Sequence, residues 1–292
     1  MKIENRCPVC GGESFAAYTA PIAPFVRDRM FQNACEAECL LLHCIKCNFR
    51  FFNVRPDALE MSRQYDDYRG MEYQQQRERH EPGYTREFNQ LIGNNATEIK
   101  NRGNFLKQLL EKNNVPGDVS VLDYGGNDGR FIPEQMTGEK YCYDISGNAI
   151  IAGVTKLSRQ ELSGKTFDLV LLAHVLEHVP YPKELMEEVV SVMSPSSLLY
   201  IELPDEVSLP FFQSCKKALR NVLLGPKENA VMHEHINQFT VSSLRNLLGE
   251  TGLRAISIGT KRLDLGWMEV NILYCLSRKS EPAVLSDKNV SA

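Results

Sequence analysis

The sequence predicts an α/β fold around a mostly parallel sheet, preceded by a small cysteine-rich lobe and a helical segment. Three observations carry that expectation. After residue 118, short apolar runs (VSVLDY, KYCYD, FDLVLLA, SLLYIEL) alternate with stretches of helical spacing, as in a parallel sheet with helices on both faces. Two CxxC pairs stand near the N-terminus. Between these parts, Phe88, Leu91, Ile92, Ile99, Leu106, Leu109 and Leu110 recur at helical spacing, predicting one long or broken amphipathic helix from Thr85 to Asn113.

At 292 residues and 43% hydrophobic composition the chain can bury a full core, one main domain with a smaller attachment. A net charge of −4 supplies no general field for nucleic acid, so no nucleic-acid partner is expected. The start MKIENRCPVC lacks an apolar signal core, and no run approaches the roughly 18 apolar residues of a spanning helix. The expectation is a cytoplasmic protein with no membrane partner.

The lobe spans 1–56. Six of the nine cysteines precede residue 48, and in a reducing compartment paired cysteines point to metal rather than disulfides. Cys7 and Cys10 (CPVCG) with Cys44 and Cys47 (CIKCN) form two knuckles that complete a tetrahedral zinc site. Four protein ligands leave no open position, so the zinc is expected to be structural. Cys35, Cys39 and His43 form no second knuckle and are assigned to packing. The stretch FRFFNVRPD reads as a strand ending at Pro56.

A helical linker or lid follows over 57–118. Residues 57–80 carry many charges and the tyrosines Tyr65, Tyr68 and Tyr73, expected half-buried on helix and loop. The main domain spans 119–279, and LRAISIGTKR and MEVNILYCLSR close it as a hairpin at the sheet edge. Residues 206–230 are read as an insertion able to cap a cleft, with FFQSCKKALRNVLL at helical spacing, and the polar 280–292 as a disordered tail.

The turn VLDYGGNDGRF identifies the ligand class. A dinucleotide fingerprint wants glycines where Asn127 and Arg130 stand, and a phosphate loop wants a Gly-Lys-Ser/Thr ending that is missing. Asp123, Gly125, Asn127 and Gly129 fit Asp-x-Gly-x-(Gly)-x-Gly instead, and here the chain resembles the class I S-adenosylmethionine (SAM) dependent methyltransferases, with their Rossmann-like sheet. Asparagine at the middle position tolerates a left-handed backbone. The resemblance implies that Asp144, ending YCYDIS, accepts both ribose hydroxyls, and that Ile145 packs on the adenine. It leaves the adenine amino group's partner open among Ser158, Gln160 and Glu161. LLAHVLEHVPYP resembles the family's HVLEH stretch, so Ala173 and His174 are implied on the methionine side. The same letters spell His-x-x-Glu-His, the inverted zinc-protease motif, but Pro180 and Pro182 stand directly behind them, and Glu177 and His178 are read as local hydrogen-bonding residues.

HEHINQFTVSSLRNLL resembles the HEHxxxF(S/T) stretch of zinc-ribbon-bearing sugar C-methyltransferases, where a Glu-His pair deprotonates substrate. By that resemblance His235 is the candidate general base and Glu234 orients it or holds the substrate. Those enzymes continue into a further domain and carry a tyrosine where Met232 stands. The expectation is therefore O-methylation of a sugar or nucleotide-sugar hydroxyl, with no catalytic metal required. The alternatives are C-methylation of a keto-sugar, a nicotinamide-dependent sugar enzyme and a non-catalytic zinc-ribbon adaptor.

Overall fold

The computed structural model describes residues 1–207 and 230–280. The helical spacing expected around FFQSCKKALRNVLL, Cys215 and the tail beyond residue 280 lie outside the described residues. The lobe contains β1 (Lys2–Ile3), β2 (Phe15–Pro21), α1 (Pro24–Arg29), β3 (Glu38–Cys44), β4 (Arg50–Phe52) and β5 (Val54–Arg55). Four helices follow: α2 (Ala58–Tyr65), α3 (Met71–His80), α4 (Arg86–Leu91) and α5 (Ala96–Lys112). The long amphipathic helix is thus broken. Gly93 takes φ +72° between α4 and α5, and the Asn95 side chain accepts the Thr97 and Glu98 N–H groups, capping the new helix start.

The main domain adds β6 (Val121–Tyr124), β7 (Lys140–Tyr143), β8 (Thr155–Lys156), α6 (Arg159–Leu162), β9 (Phe167–Ala173), α7 (Pro182–Ser191), β10 (Met193–Pro204), β11 (Asn237–Gln238), α8 (Val241–Glu250), β12 (Leu253–Asp264) and β13 (Glu269–Lys279). Seven strands form one sheet in the order β12-β13-β10-β9-β6-β7-β8. β6 to β10 pair in parallel, and β13 runs antiparallel between β10 and β12. The terminal hairpin therefore joins the sheet through its second strand, and its first strand becomes the edge.

Helices cover both faces. Leu106, Leu109 and Leu110 of α5 pack on Val121, Leu169 and Leu171, while Met186 and Val189 of α7 and Leu244, Leu247 and Leu248 of α8 cover Leu122, Val170 and Leu172. Each fully buried leucine contributes about 1.5–3 kcal/mol through removal from water. One expectation needs correction: the β6–β7 and β7–β8 crossovers contain no helix. Glycines and Pro133 in the first link, and Gly147 and Gly153 in the second, disfavour helical backbone there. These bare loops form one wall of the cleft described below.

β11 extends the lobe sheet to the order β11-β4-β3-β2, with Asn237 opposite Phe51. Phe49 of the lobe packs on Phe239 at 4.7 Å between ring centroids, so the cysteine knuckles share a core with the main sheet.

Candidate active site

The turn after β6 is shaped by what a side chain would strike. A Cβ on Gly125, at φ +75°, would lie 2.6 Å from a Val175 methyl, and one on Gly126 would lie 2.0 Å from the Asp123 carboxyl. Asn127 takes φ +56°, the left-handed backbone expected of it. Its N–H donates to Asp144 Oδ2 at 2.8 Å, and the Ser146 N–H donates to Asp144 Oδ1 at 2.7 Å. Asp123 stands opposite Cys142 in register, so both acidic strand tips flank this one turn. Asp123 is 1% exposed, its Oδ2 makes no hydrogen bond within the protein, and burial pushes its carboxyl up to about 7.

Two chambers open on either side of the turn. One, of about 450 Å³, is lined by Asp144, Ile145, Arg159 and Leu185 of the main domain and by Met61 and Tyr65 of α2. The other, of about 390 Å³, is lined by Asp123, Ala173, Arg102, Glu202, Glu234 and His235. Tyr68, Gly125, Asn127, His174 and His178 border both, so the chambers form one cleft with a waist. Such volumes suit small-molecule ligands. Asp123, Gly125, Asn127, Asp144, Ile145, Ala173 and His174 are thus brought together. Gly129, at φ +83°, lines neither chamber and packs against Val154. Ser158 and Glu161 are joined in the capping box of α6, and the neighbour that reaches the cavity is Arg159.

A chain of charges runs along the floor, buried at Arg102, Glu177 and Glu202 and half-exposed at His174. Arg102 Nε donates to Glu202 Oε1 at 2.6 Å, and His174 bridges Glu202 Oε1 at 3.1 Å and Glu177 Oε1 at 3.0 Å. Burial opposes the His174 charge, but the two carboxylates outweigh it and hold its pKa at about 9. Burial likewise opposes ionisation of Glu177 and Glu202; the His174 hydrogen bond on the first and the Arg102 charge on the second outweigh it, holding both near 2. The whole chain is therefore charged at neutral pH. His174 takes φ +57°, a left-handed backbone for a residue with a Cβ, where it leaves β9.

The HEH loop is pinned between lobe and sheet. The Ile236 and Asn237 N–H groups donate to the Glu177 carbonyl at 2.8 and 3.0 Å, and Asn237 Nδ2 donates to the Leu176 and Val179 carbonyls. Met232 is fully buried, with its N–H bonded to the Pro21 carbonyl, so this position is filled as core. Glu234 does not orient His235. Its carboxylate accepts from Gln64 Nε2 at 2.9 Å, Tyr73 Oη at 2.6 Å and Arg77 at 3.0 Å. Burial works against its charge, yet Arg77 holds its carboxyl down near 2. The partner of His235 is Glu206, bonded to Nδ1. Burial opposes the imidazolium, and the Glu206 hydrogen bond raises the His235 pKa above its ordinary value. Tyr73, expected half-buried, is fully enclosed because it bonds this carboxylate.

Sequence reasoning missed Arg102, Glu202, Glu206, Tyr73 and Arg77. Arg102 and its ion-pair partner Glu98 continue the buried stripe of Leu106, Leu109 and Leu110 on α5, a signal legible in the spacing. Tyr73 and Arg77 meet Glu234 across more than 150 residues, Glu202 meets Arg102 across 100, and Glu206 meets His235 across 29.

In the lobe, Sγ atoms of Cys7, Cys10, Cys44 and Cys47 all lie within 4.8 Å of one another, with Cys7–Cys47 and Cys10–Cys44 at 3.6 Å. A zinc tetrahedron with bonds of about 2.3 Å has sulfur–sulfur edges of about 3.8 Å, so the cluster fits that ion. Cys39 packs beside the Met232 sulfur and Cys35 is half-buried, both apart from the cluster.

A family model described as a methyltransferase domain matches residues 88–258, more than half of the 292. No curated protein matches the chain. Among solved structures, the 1,6-didemethyltoxoflavin-N1-methyltransferase of Burkholderia thailandensis, with bound 1,6-didemethyltoxoflavin and S-adenosylhomocysteine, is similar at 16% identity and TM-score 0.47, over 67% of this chain and 83% of that one. A SAM-dependent methyltransferase of Methanosarcina mazei is similar at 17% identity and TM-score 0.43, over 59% and 98%. The magnesium protoporphyrin IX methyltransferase of Synechocystis PCC 6803, with bound S-adenosylhomocysteine, is similar at 20% identity and TM-score 0.41, over 62% and 83%. No helix among the described residues is long and apolar enough to cross a membrane.

Proposed function

The chain belongs to the methyltransferase-domain family, and from that premise we propose that it transfers the methyl group of SAM to a sugar or nucleotide-sugar hydroxyl. The observation that carries the proposal is the waisted cleft, whose two chambers meet at Gly125, Asn127 and His174. In the first chamber Asp144 holds the ribose hydroxyls and Ile145 covers the adenine. Gly125, Asn127 and His174 at the waist, with Asp123 and Ala173 beside them in the second chamber, hold the methionine part, the unpartnered Asp123 oxygen facing its ammonium. Gly129 closes the turn behind them. The cramped space at Gly125 and Gly126 supports close backbone approach, since any Cβ there would collide.

SAM would supply a sulfonium methyl group that is electrophilic without activation, with S-adenosylhomocysteine as the leaving group. The second chamber takes the acceptor, and its residues align the hydroxyl and remove its proton. His235 accepts that proton, held by Glu206 at Nδ1, and Glu234, backed by the enclosed Tyr73, fixes Arg77 in the chamber wall. Cys7, Cys10, Cys44 and Cys47 hold a structural zinc that fixes the lobe against α8, where the Ser242 hydroxyl donates to the Cys47 carbonyl.

Incubation of the purified chain with SAM and a panel of nucleotide-sugars and hydroxyl-free acceptors, read by product mass and by the NMR shift of the new methyl group, tests this. One added methyl on a sugar oxygen is expected. Methylation on carbon, or turnover only with acceptors lacking hydroxyls, contradicts the proposal.

A further inference from the structure

Beside the waist, Glu177, His178 and His235 each offer one ligand atom, and these atoms lie within 4.8 Å of one another. The two histidines are set up in the same way. His178 Nδ1 donates to the Glu234 carbonyl at 3.0 Å, and His235 Nδ1 bonds the Glu206 carboxylate. A carbonyl only accepts, so the His178 proton sits on Nδ1 and its Nε2 lone pair is free, 4.0 Å from Glu177 Oε1. Metal-ligating imidazoles are held by this same kind of outer partner, a carbonyl or carboxylate on the second nitrogen. Glu177 adds an independent sign: it is 1% exposed, and its Oε2 has no hydrogen-bond partner within the protein. His174 already meets Oε1, so what stays open is Oε2, a buried acceptor whose desolvation is offset only by a further donor or a cation.

We propose that Glu177, His178 and His235 form a second metal site, which takes one divalent transition-metal ion at the wall of the acceptor chamber. The ligand set is two imidazoles and one carboxylate, and His174 is not part of it, being bound at both ring nitrogens. Three protein ligands leave open positions, unlike the closed four-cysteine cluster. The inference rests on the acceptor placement proposed above. With the ion in place, the acceptor hydroxyl coordinates it and releases its proton to water; the oxygen keeps the electron pair. That pair forms the new C–O bond while the C–S bond breaks and its electrons return to sulfur. With an ion bound, His235 would be a ligand and the proton would go to water; without one it is the base proposed above.

The test is a titration of the full chain, its cysteine cluster already zinc-loaded, with Co²⁺ alone, followed by calorimetry and visible absorption. The expected result is one further equivalent, lost in Glu177→Gln and in His178→Asn and weakened about 10–100-fold in Glu206→Gln. Asparagine keeps a donor for the Glu234 carbonyl, and zinc content with circular dichroism reports folding. No further equivalent in the wild type, or an equivalent that survives all three substitutions, overturns the proposal. SAM binding measured on the same wild-type sample separates the two claims: SAM bound without cobalt removes only the metal site, and cobalt bound without SAM removes only the cofactor assignment.

Discussion

Replacing Asp123 by asparagine should make the ligand-free protein more stable, increasingly so as pH rises. The carboxyl is 1% exposed and burial moves it from an ordinary 3.8 to about 7. Below 3.8 it is protonated in folded and unfolded chains alike and costs nothing. Between 3.8 and 7 the unfolded chain has released the proton while the folded chain still holds it, so stability falls by about 1.4 kcal/mol for each pH step. Above 7 the loss levels off at about 4 kcal/mol, on the order of a third of a typical domain's stability. Asparagine has nearly the same shape and no charge, so its own packing cost is common to every pH and cancels in the difference. The assay is urea unfolding of both proteins at pH 4, 6 and 8 without SAM. The variant's advantage should grow across that range, and its SAM affinity should be the weaker. A difference that stays flat with pH would refute the burial-driven shift and with it the view of Asp123 as a site strained for a cationic ligand.

Other consequences can be checked separately. His235→Ala should lower turnover by about 10²–10⁴-fold while SAM affinity holds, by steady-state kinetics and calorimetry; equal loss of both would remove it from proton transfer. Tyr73→Phe deletes the 2.6 Å bond to the buried Glu234 carboxylate and should cost about 1–3 kcal/mol in urea unfolding. Stripping the cysteine cluster with a chelator, or Cys47→Ser, should loosen the lobe and expose Phe49 and Phe239 together, since they share one core; unchanged near-ultraviolet circular dichroism would contradict that coupling.

The parallel sheet was legible because each buried strand is a short apolar run, and the β6 turn because its glycines face real steric limits. The break at Gly93 was foreseen only as a possibility of the periodic pattern. The missing crossover helices were not foreseen: strand–helix alternation is a statistical habit, and the glycine-rich links of 125–138 and 144–154 defeat it locally. The cysteine knuckles were readable from spacing alone. Around His235 the sequence was less informative. Adjacency in HEH suggested that Glu234 serves His235, but consecutive side chains point apart, and the glutamate turns to Gln64, Tyr73 and Arg77 while Glu206 reaches the imidazole. Glu177 and His178 looked like bystanders because their meeting with His235 spans more than fifty residues.

Calorimetric titration of SAM into the wild-type protein and Asp144→Ala bears most directly on the cofactor grip. Asp144 holds the Asn127 turn at 2.8 Å and is assigned the ribose. Losing charge-assisted hydrogen bonds of about 1.5–3 kcal/mol should weaken SAM by about 10- to 150-fold while the fold persists. Equal affinity in the two proteins, or no binding to the wild type, would contradict the assignment.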